Sequence, residues 1–433
     1  MKNLFLKILA WKLKILAKLT LQKYKPGIIG VTGNVGKTST KEALGTVLSE
    51  VRKVRADSKN FNNELGLPLV ILGDEKSTEG LLFWPKVILK GLLQLIFRNQ
   101  NYPDILILEY GIDRPGDMNY LLDIARPSIG VVTAIGEIPV HVEFFAGPEG
   151  LAREKEKLVN NLPSTGFAIL NADDSLVFAM KSETRAHVVT FGFSEDADIR
   201  ITNFEEHLDG DSGGVGFKLN YGGGFIPVKL KGSFGKTPAY SVAVAAVIGL
   251  IFGMNLVRIS EVLVNFRSPA GRLKLIKGIK ESIIIDDTYN ASPLAMREAL
   301  ETLKRLKSKS KIAVLGDMLE IGKYTMKAHE EIGHLVSKVA DILITLGTRA
   351  KFIAEGANDF GMSKKSIFSF DDLNKAALFL QEKLEKGDLI LIKGSQAVRM
   401  ERIVEEVMAE PERASELLVR QSPVWFKKKG LYD

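Results

Sequence analysis

Residues 30–39 read Gly30-Val31-Thr32-Gly33-Asn34-Val35-Gly36-Lys37-Thr38-Ser39. This stretch follows the apolar pair Ile28-Ile29 and precedes a helical pattern over residues 40–48. A strand, a glycine-rich turn and a helix in this order are typical of a phosphate-binding loop. The glycines let backbone N–H groups turn toward phosphate oxygens, and the N-terminus of the helix adds positive potential. The stretch therefore predicts an α/β domain that binds a nucleoside triphosphate.

The end of this loop supplies the two side chains that such a site needs. Lys37 is placed to reach the terminal phosphates, and the Thr38 hydroxyl is placed to ligate Mg²⁺. The usual pattern, G-x-x-x-x-G-K-[ST], has a glycine where this chain has Val31, so an ordinary turn is the alternative. We expect ATP and Mg²⁺ to bind here. The predicted nucleotide contacts are Thr32, Gly33, Asn34, Val35, Gly36, Lys37, Thr38 and Ser39.

Composition limits the class of protein. A chain of 433 residues with 45% hydrophobic and 26% charged residues is expected to form two or three globular domains. It contains no cysteine, which excludes disulfides, a thiol nucleophile and a cysteine-ligated metal, and which fits a reducing cytoplasm. The net charge of +7 is modest, and its lysines lack the interleaved aromatic residues of a nucleic-acid groove. We therefore expect no nucleic-acid partner.

The first 25 residues form a separate basic segment. They contain seven lysines and no acidic residue, with apolar residues between the lysines. The segment is not apolar enough to span a bilayer and has no signal-peptide cleavage site. Two interpretations stay open: an amphipathic helix on an anionic membrane surface, or a helix that packs its apolar face on the protein. A second apolar run, residues 81–97, could pair with it in either case.

Beyond residue 26, short apolar runs alternate with helical patterns, which predicts parallel sheets covered by helices. Predicted strands of the first sheet are residues 28–31, 105–109, 129–133, 166–171 and 187–191, and predicted helices are 41–49, 152–161 and 237–252. Residues 197–232 alternate polar and apolar positions with many glycines, which indicates antiparallel hairpins at the sheet edge. Predicted strands of a second, doubly wound sheet are residues 283–287, 311–315, 342–345, 366–370 and 389–392.

These patterns divide the chain into three parts. Residues 1–25 form the basic amphipathic N-terminal helix. Residues 26–268 form a central ATP-binding domain with a parallel sheet and a small antiparallel edge. Residues 269–433 form a Rossmann-like C-terminal domain, beginning after the junction Phe266-Arg267-Ser268-Pro269-Ala270-Gly271-Arg272.

Polar clusters follow several predicted strands. They are Glu109, Asp286-Asp287-Thr288-Tyr289-Asn290, Gly316-Asp317 and Lys393-Gly394-Ser395. Any one of them could be a helix cap or a turn. Because ligands of doubly wound sheets bind at the carboxyl ends of strands, four such clusters favour a binding site there. Glu109 is a candidate Mg²⁺ ligand.

Together these motifs resemble the Mur ligase superfamily, and within it the branch that adds D-alanyl-D-alanine to the peptidoglycan precursor. The similar segments are Thr32-Gly33-Asn34-Val35-Gly36-Lys37-Thr38, Ser58-Lys59-Asn60-Phe61-Asn62-Asn63-Glu64-Leu65-Gly66-Leu67-Pro68, Glu109-Tyr110-Gly111, Arg114-Pro115-Gly116-Asp117, Asp286-Asp287-Thr288-Tyr289-Asn290-Ala291-Ser292-Pro293, Leu315-Gly316-Asp317-Met318-Leu319-Glu320 and Lys393-Gly394-Ser395. The resemblance covers residues 26–408.

The resemblance implies a role for each matching residue. Lys37 and the loop amides would hold the ATP phosphates, and Thr38 and Glu109 would hold Mg²⁺. His141 would lie near a second metal, and Lys155 would match a lysine that is carbamylated into a metal ligand. A solvated helix face is the alternative for Lys155. Arg272, Asp287 and Asn290 would reach the nucleotide from the C-terminal domain, with Tyr289 alongside it. The implied catalytic set is Lys37, Glu109, His141, Lys155 and Arg272.

The implied reaction is ATP-dependent amide formation through an acyl phosphate, with a UDP-muramoyl-peptide and D-alanyl-D-alanine as substrates. Alternatives are a Mur-like ligase for another acid and a nucleotide-binding subunit without activity. The phosphate-binding loop begins at residue 30, so we expect the superfamily's N-terminal sugar-nucleotide domain to be missing and the acyl substrate to stay open. We expect the protein to be monomeric and cytoplasmic. If residues 1–25 form an amphipathic helix on an anionic membrane surface, we also expect peripheral membrane contact through that helix.

Overall fold

The structure is a computed structural model that describes residues 2–56, 61–73, 83–209 and 212–433. Ser58-Lys59-Asn60 of the asparagine-containing motif and residues 81 and 82 of the second apolar run lie outside the described residues.

The strands and helices alternate along the chain. The strands are β1 (Gly27–Thr32), β2 (Val54–Ala56), β3 (Ile105–Glu109), β4 (Ile129–Val132), β5 (Phe167–Asn171), β6 (His187–Gly192), β7 (Ile199–Asp209), β8 (Ser212–Tyr221), β9 (Gly224–Lys231), β10 (Lys274–Lys277), β11 (Ile283–Asp287), β12 (Ser310–Gly316), β13 (Ile342–Leu346), β14 (Ile367–Phe370) and β15 (Asp388–Lys393). The helices are α1 (Lys2–Tyr24), α2 (Lys37–Leu48), α3 (Gly66–Leu72), α4 (Phe83–Ile96), α5 (Asp117–Ile124), α6 (Gly147–Asn160), α7 (Ser175–Phe178), α8 (Lys236–Ile251), α9 (Leu256–Leu263), α10 (Pro293–Arg305), α11 (Thr325–Val336), α12 (Lys351–Asp359), α13 (Leu373–Lys383), α14 (Glu401–Val407), α15 (Ala414–Leu417) and α16 (Pro423–Phe426).

Two sheets organise these elements. The first has the order β2-β3-β1-β4-β5-β6-β7-β8-β9, in which β2 through β7 are parallel and the pairs β7–β8 and β8–β9 are antiparallel. The second has the order β10-β11-β15-β12-β13-β14 and is parallel except for β10. The predicted α/β class, the antiparallel edge and the second doubly wound sheet are all confirmed.

Helices cover both faces of the first sheet because its central strands are apolar throughout. On one face, α2 and the alanine-rich α8 pack on Ile29, Val31 and Ile107, and α3 and α5 pack on the other face. The register pairs Val31 with Glu109 and Thr32 with Val132. The carboxyl ends of β1, β3 and β4 therefore meet where the phosphate-binding loop starts. The predicted domain boundary at residue 268 falls between the last strand of the first sheet and the first strand of the second.

The N-terminal helix packs one face on the protein. Leu9, Leu13, Leu16 and Ala17 are buried in the apolar cluster that contains α3 and α5. The ammonium groups of Lys14 and Lys18, which lie on one side of this helix, contact Asp123 at 2.5 and 2.8 Å. The packing interpretation is therefore confirmed for this face, while the outward face is apolar and exposed. In the described part of the chain, no helix has both the length and the apolar character to cross a bilayer.

The antiparallel edge of the first sheet is tied to the second sheet's helices by one carboxylate. The side chain of Glu206 on β7 is fully buried and pairs with Arg305 at the end of α10. It also accepts hydrogen bonds from the Gly235 amide at 2.6 Å and the Thr302 hydroxyl at 3.3 Å. A buried carboxylate with three donors joins the two sheets at a fixed spacing.

We predict that Glu206→Ala lowers the free energy of unfolding by roughly 3 kcal/mol, because it leaves the Arg305 guanidinium and the Gly235 amide without their acceptor. Urea unfolding followed by circular dichroism measures the loss. The neighbouring Glu205, whose side chain points to solvent, supplies the control Glu205→Ala. Equal effects of the two substitutions would contradict a specific role for Glu206.

Candidate active site

The phosphate-binding loop depends on two glycines. Gly33 has φ = 141° and Gly36 has φ = 90°, and a Cβ atom on Gly33 would lie 2.0 Å from Thr133 Oγ1. The backbone therefore needs glycine at both positions. The turn brings the chain from the end of β1 directly into α2, which begins at Lys37 rather than at the predicted residue 41.

The amides of the loop do not all face the same way. The N–H groups of Asn34 and Val35 donate to the Ala134 carbonyl at 2.6 and 3.2 Å, so these two amides tie the loop to the end of β4. The first amide of α2 that bonds back into the helix is that of Thr40, to Gly36 O. The preceding N–H groups, those of Lys37, Thr38 and Ser39, have no carbonyl within the helix to bond and form the anion-binding end of the loop.

A cavity of about 520 Å³ opens in front of the loop, between the two sheets. Most of the predicted site residues lie on its wall: Gly33, Asn34, Lys37, Thr38, Glu109, His141, Lys155, Arg272, Tyr289 and Asn290. Residues from the first domain and from the C-terminal part of the chain therefore meet at one place, at the carboxyl ends of strands in both sheets.

Two lysines converge on one carbonyl in this cavity. Lys37 Nζ and Lys155 Nζ each donate to Gly33 O at 3.0 Å. Burial lowers the pKa of Lys37. Burial, followed by repulsion from Lys37, lowers the pKa of Lys155 well below its usual value. The solvated-face alternative for Lys155 is wrong, since only 2% of this residue is exposed.

Glu109 lies at the end of β3 and is 1% exposed. Its Oε2 lies 3.4 Å from Lys41 Nζ, and its Oε1 accepts a hydrogen bond from the Asn62 amide at 3.1 Å. Burial alone would raise the pKa of this carboxyl, but Lys41 and Lys37 hold the pKa below its usual value. The carboxylate is therefore ionised where it faces the cavity.

The donor set fits Mg²⁺ bound together with a nucleotide. Magnesium in proteins is usually held by one or two carboxylates, with water and substrate phosphates completing the octahedron. The ionised Glu109 and the Thr38 hydroxyl line the same cavity. Among the described residues there is no cluster of three or more histidine or acidic side chains suited to a metal. An ion here would accordingly depend on phosphate oxygens as further ligands.

His141 connects the two sides of the cavity. Its backbone has φ = 69°, its Nδ1 lies 3.1 Å from Glu320 Oε2, and its Nε2 lies 3.4 Å from Asp113 Oδ1. Hydrogen bonding to His141 lowers the pKa of Glu320. Since Glu320 belongs to the loop after β12, this imidazole is a contact between domains as well as a residue of the cavity wall.

Arg272 enters the cavity from the domain junction. Its guanidinium lies over the Tyr289 ring, 3.9 Å from the ring centre. Its Nε is buried and has no hydrogen-bond partner among the described residues. An unpaired cationic donor that faces the phosphate-binding loop is suited to an anionic ligand.

Asp287 does not lie on the cavity wall with its predicted neighbours. It pairs with Lys393 at 2.5 Å and accepts a hydrogen bond from the Leu273 amide at 3.3 Å. It borders a small separate pocket beside Ser39. The structure thus gives Asp287 a structural partner that the motif did not reveal. Thr32 is also turned away, since its buried hydroxyl donates to Tyr110 O.

A second cavity, of about 430 Å³, was missed by the sequence analysis. It is lined by Ala134, Gly136, Glu137, Ile138, Pro148, Glu149, Asn171, Asp173, Asp174, Ser175, Leu176, Tyr240, Pro293, Leu294, Arg297 and Glu298. The Tyr240 hydroxyl donates to Asp173 at 2.8 Å. A small pocket bordered by Val35, Gly36, Asn171 and Tyr240 lies between this cavity and the loop. The signal that could have found it is Asn171-Ala172-Asp173-Asp174, another polar cluster after a strand.

Family models match two parts of the chain. The Mur ligase middle domain matches residues 89–247, and the Mur ligase glutamate ligase domain matches residues 271–396.

Curated relatives match over most of their length. The UDP-N-acetylmuramoyl-tripeptide–D-alanyl-D-alanine ligase of Bacillus subtilis is 30% identical over 402 residues, which cover 92% of this chain and 79% of the relative. The ligase of the same name from Escherichia coli is 26% identical, covering 90% of this chain and 78% of the relative.

Solved structures show the same architecture. The MurF ligase from Thermotoga maritima in complex with ADP aligns with a TM-score of 0.74 at 27% identity, covering 93% of this chain and 84% of that one. MurF from Acinetobacter baumannii aligns with a TM-score of 0.74 at 25% identity, covering 90% of this chain and 79% of that one.

We predict that Lys155 forms a carbamate with CO₂ at neutral pH. Its lowered pKa favours the neutral amine, whose nitrogen forms a bond to the carbon of CO₂ and releases one proton. Carbon-13 NMR of the protein in ¹³C-bicarbonate should show a carbamate signal that disappears in Lys155→Met. The signal should also weaken as the pH falls, because protonation removes the nucleophilic amine. A carbamate signal that persists in Lys155→Met would contradict the assignment.

Proposed function

Since the chain belongs to the Mur ligase family, we propose that it is an ATP-dependent ligase that joins D-alanyl-D-alanine to the carboxyl group of a muramoyl-peptide. One observation carries the proposal. A single cavity holds a phosphate-binding loop, the ionised Glu109 and, from the other domain, the unpaired Nε of Arg272. These groups can bind ATP and neutralise the charge of its γ-phosphoryl group while that group is transferred to a second substrate. Both substrates would lie between the two domains.

The proposed reaction has two steps. A carboxylate oxygen of the muramoyl-peptide attacks the γ-phosphorus of ATP, the bond from phosphorus to the β–γ bridging oxygen breaks, and ADP leaves. The amine nitrogen of D-alanyl-D-alanine then bonds to the acyl carbon, and phosphate departs with the surplus proton. The first step is needed because phosphate is a far better leaving group than an oxide or hydroxide.

The chain's own residues provide positioning and charge for these steps. The amides of Lys37, Thr38 and Ser39 bind phosphate oxygens, and the Lys37 ammonium turns from Gly33 O to the terminal phosphate. Arg272 supplies a second cation to the transferred group. Thr38 and Glu109 would hold Mg²⁺, with His141 and carbamylated Lys155 at a second position, and the metal would neutralise phosphate charge when bound.

The second cavity is the proposed site of the adenosine part of ATP. It is joined to the loop through the small pocket beside Gly36, and it is built from both domains. Tyr240 offers a ring face, and Asn171 offers amide groups for a base. Asp287 is then a positioning residue: through Lys393 and the Leu273 amide it holds the strand ends that carry Arg272 and Asn290.

We propose three structural units: residues 1–25, 26–268 and 269–433. We propose that the protein acts as a monomer. A subunit without activity would have no use for an ionised Glu109 facing Lys37 and Lys155. A ligase for another acid stays an alternative that the substrate experiment distinguishes.

Phosphate release tests the function. With ATP and Mg²⁺, we expect release only when both UDP-muramoyl-tripeptide and D-alanyl-D-alanine are present, because the acyl phosphate needs the first and its turnover needs the second. Lys37→Ala should lower the rate at least about a hundredfold by removing a cation from the transferred phosphoryl group. The exposed Lys53 supplies the control Lys53→Ala. Release that is indifferent to both substrates would reject this substrate pair.

We further propose that the protein is cytoplasmic and that the outward faces of α1 and α4 bind the inner surface of an anionic membrane. The two helices lie against each other, with Lys23 Nζ donating to the Gln94 and Leu95 carbonyls at 2.9 and 3.0 Å. Large apolar residues nevertheless face solvent on both helices. They are Leu6, Ile8, Trp11, Ile15 and Leu19 on α1, Leu89, Leu92, Leu93 and Ile96 on α4, and Phe97 just beyond it.

Lysines beside this apolar surface make it positively charged and favour an anionic partner. Trp11 is 60% exposed and Ile96 is 71% exposed. Lys7, Lys12 and Lys86 flank them in exposed positions, and neither helix contains an acidic residue. Apolar side chains with lysines on either side are the pattern of helices that lie in the headgroup region of a bilayer.

Vesicle co-sedimentation tests this surface. We expect binding to vesicles of phosphatidylglycerol and phosphatidylcholine, weaker binding to phosphatidylcholine alone, and a loss of about tenfold or more in Trp11→Glu/Ile96→Glu, because each carboxylate would have to leave water or meet anionic headgroups. Val257→Glu changes an equally exposed apolar residue on α9 and is the control. Self-association that the double variant abolishes, without any vesicle binding, would overturn the proposal in favour of a second copy as the partner.

A further inference from the structure

The end of the chain is fastened across the strand ends of the C-terminal domain. The Arg420 guanidinium donates to Tyr289 O at 2.9 Å and pairs with the buried Glu401 at 2.8 Å. Twelve residues further on, the Tyr432 hydroxyl donates to Asp317 Oδ2 at 2.6 Å. These contacts lie at the ends of β11 and β12, so the segment between them is held over the edge of the sheet that faces the phosphate-binding loop.

Arg399 fixes the middle of this segment. Its guanidinium is nearly fully buried and pairs with Glu401 at 2.6 Å. It donates to the carbonyl of Trp425 at 3.0 Å and to that of Lys428 at 2.8 Å. A buried arginine bound to both carbonyls fixes the conformation of this part of the backbone, and we call residues 425–429 the tail turn.

The tail turn presents a ring and two cations to the cavity in front of the phosphate-binding loop. Trp425, Lys428 and Lys429 all lie on the wall of the 520 Å³ cavity that contains Lys37 and Arg272. Lys428 Nζ lies 4.2 Å from the centre of the Trp425 ring. Among the described residues, neither Lys428 nor Lys429 forms an ion pair with an acidic side chain. Two uncompensated ammonium groups beside an aromatic ring favour a ligand with one anionic end and an apolar body.

The proposed reaction supplies such a ligand. D-alanyl-D-alanine carries its nucleophilic amine at one end and a carboxylate at the other, about 7 Å away when extended, with two methyl groups between. The amine must reach the acyl phosphate near Lys37, so the carboxylate must be held elsewhere on the wall. The tail turn belongs to the C-terminal domain, whereas the phosphate-binding loop belongs to the central domain, so the two ends of the dipeptide can be held from different domains.

We infer that the tail turn is the binding subsite for the carboxylate of the amine substrate, with Lys428 and Lys429 pairing with the carboxylate and Trp425 packing on its methyl groups. The inference rests on the proposed function. It defines specificity as well as affinity, because an amine without a carboxylate at that distance would leave the two lysines unpaired.

The test compares D-alanyl-D-alanine with D-alanyl-D-alanine amide, which has the same shape but no negative charge. In the unaltered enzyme we expect the amide to have a KM at least tenfold higher. In Lys428→Ala/Lys429→Ala we expect the KM for D-alanyl-D-alanine to rise at least tenfold, and the acid and the amide to become equivalent within twofold. The KM values for ATP and for UDP-muramoyl-tripeptide should stay within twofold. Lys427→Ala removes a lysine of the same turn that does not line the cavity, and it should change none of these values.

A binding measurement separates recognition from turnover. The chain has three tryptophans, so Trp11→Phe/Trp84→Phe leaves Trp425 as the only one. In this background, in the presence of ADP and Mg²⁺, D-alanyl-D-alanine should give a saturable change in fluorescence, and the amide should need at least a tenfold higher concentration to give the same change. Their affinity should fall with Lys428→Ala/Lys429→Ala.

Each outcome has one meaning. If the unaltered enzyme uses acid and amide equally well, the subsite is overturned while the ligase function stands. If the double variant raises the KM for UDP-muramoyl-tripeptide instead, the lysines bind the diphosphate of the acyl substrate and the carboxylate assignment is overturned. If the unaltered protein joins neither D-alanyl-D-alanine nor its amide to the muramoyl-peptide, the proposed function is wrong, and the inference is wrong with it.

Discussion

The amino groups of two lysines share one carbonyl oxygen at the centre of this protein, and the other features of the site follow from that arrangement. Lys37 and Lys155 both donate to Gly33 O, in a place where burial already disfavours their charge. The repulsion between the two side chains falls when an anion binds beside them or when one amine is converted to a negatively charged group. A triphosphate would supply the anion, and carbamylation would turn the Lys155 amine into a carboxylate-like group. The site is thus electrostatically suited to a nucleotide and a metal, and Glu109 remains ionised because Lys41 and Lys37 lie beside it.

A site built from two domains must keep them at a working distance. The buried Glu206 does this on one side, through Arg305 and the Gly235 amide, and the contact between His141 and Glu320 does it on the cavity wall. Glu206 and Arg305 do not line the cavity, whereas His141 and Glu320 do. The buried contact therefore joins the antiparallel edge of the first sheet to α10, whereas the imidazole contact lies on the wall of the cavity.

The sequence predicted those features that follow from local patterns. The glycine-rich turn, the strand ends at Glu109 and Lys393, and the antiparallel edge depend on residues close together in the chain. The missed features depend on pairs distant in sequence. Glu206 and Arg305 lie 99 residues apart, and Asp287 meets Lys393 across 106 residues. For Lys155 the helical pattern alone left a solvated face open, and only the family resemblance indicated a site residue; the fold buries its amino group against Gly33 O. Periodicity and motifs contain no information on such pairings.

Because only local patterns can be recognised in the sequence, the N-terminal helix was predicted and the position of the C-terminal segment was not. The N-terminal helix was visible as a pattern, and the fold divided its apolar residues between a packed face and an exposed one. The C-terminal segment after residue 408 has no periodic pattern, and its place follows from single contacts of Arg399, Arg420 and Tyr432. Both ends nevertheless add positive charge to surfaces for which we propose anionic partners: lipid headgroups for one, and a substrate carboxylate for the other. The positive charge at the termini would then serve two separate surfaces, because the fold holds one end against the outer face of the central domain and the other on the wall of the cavity.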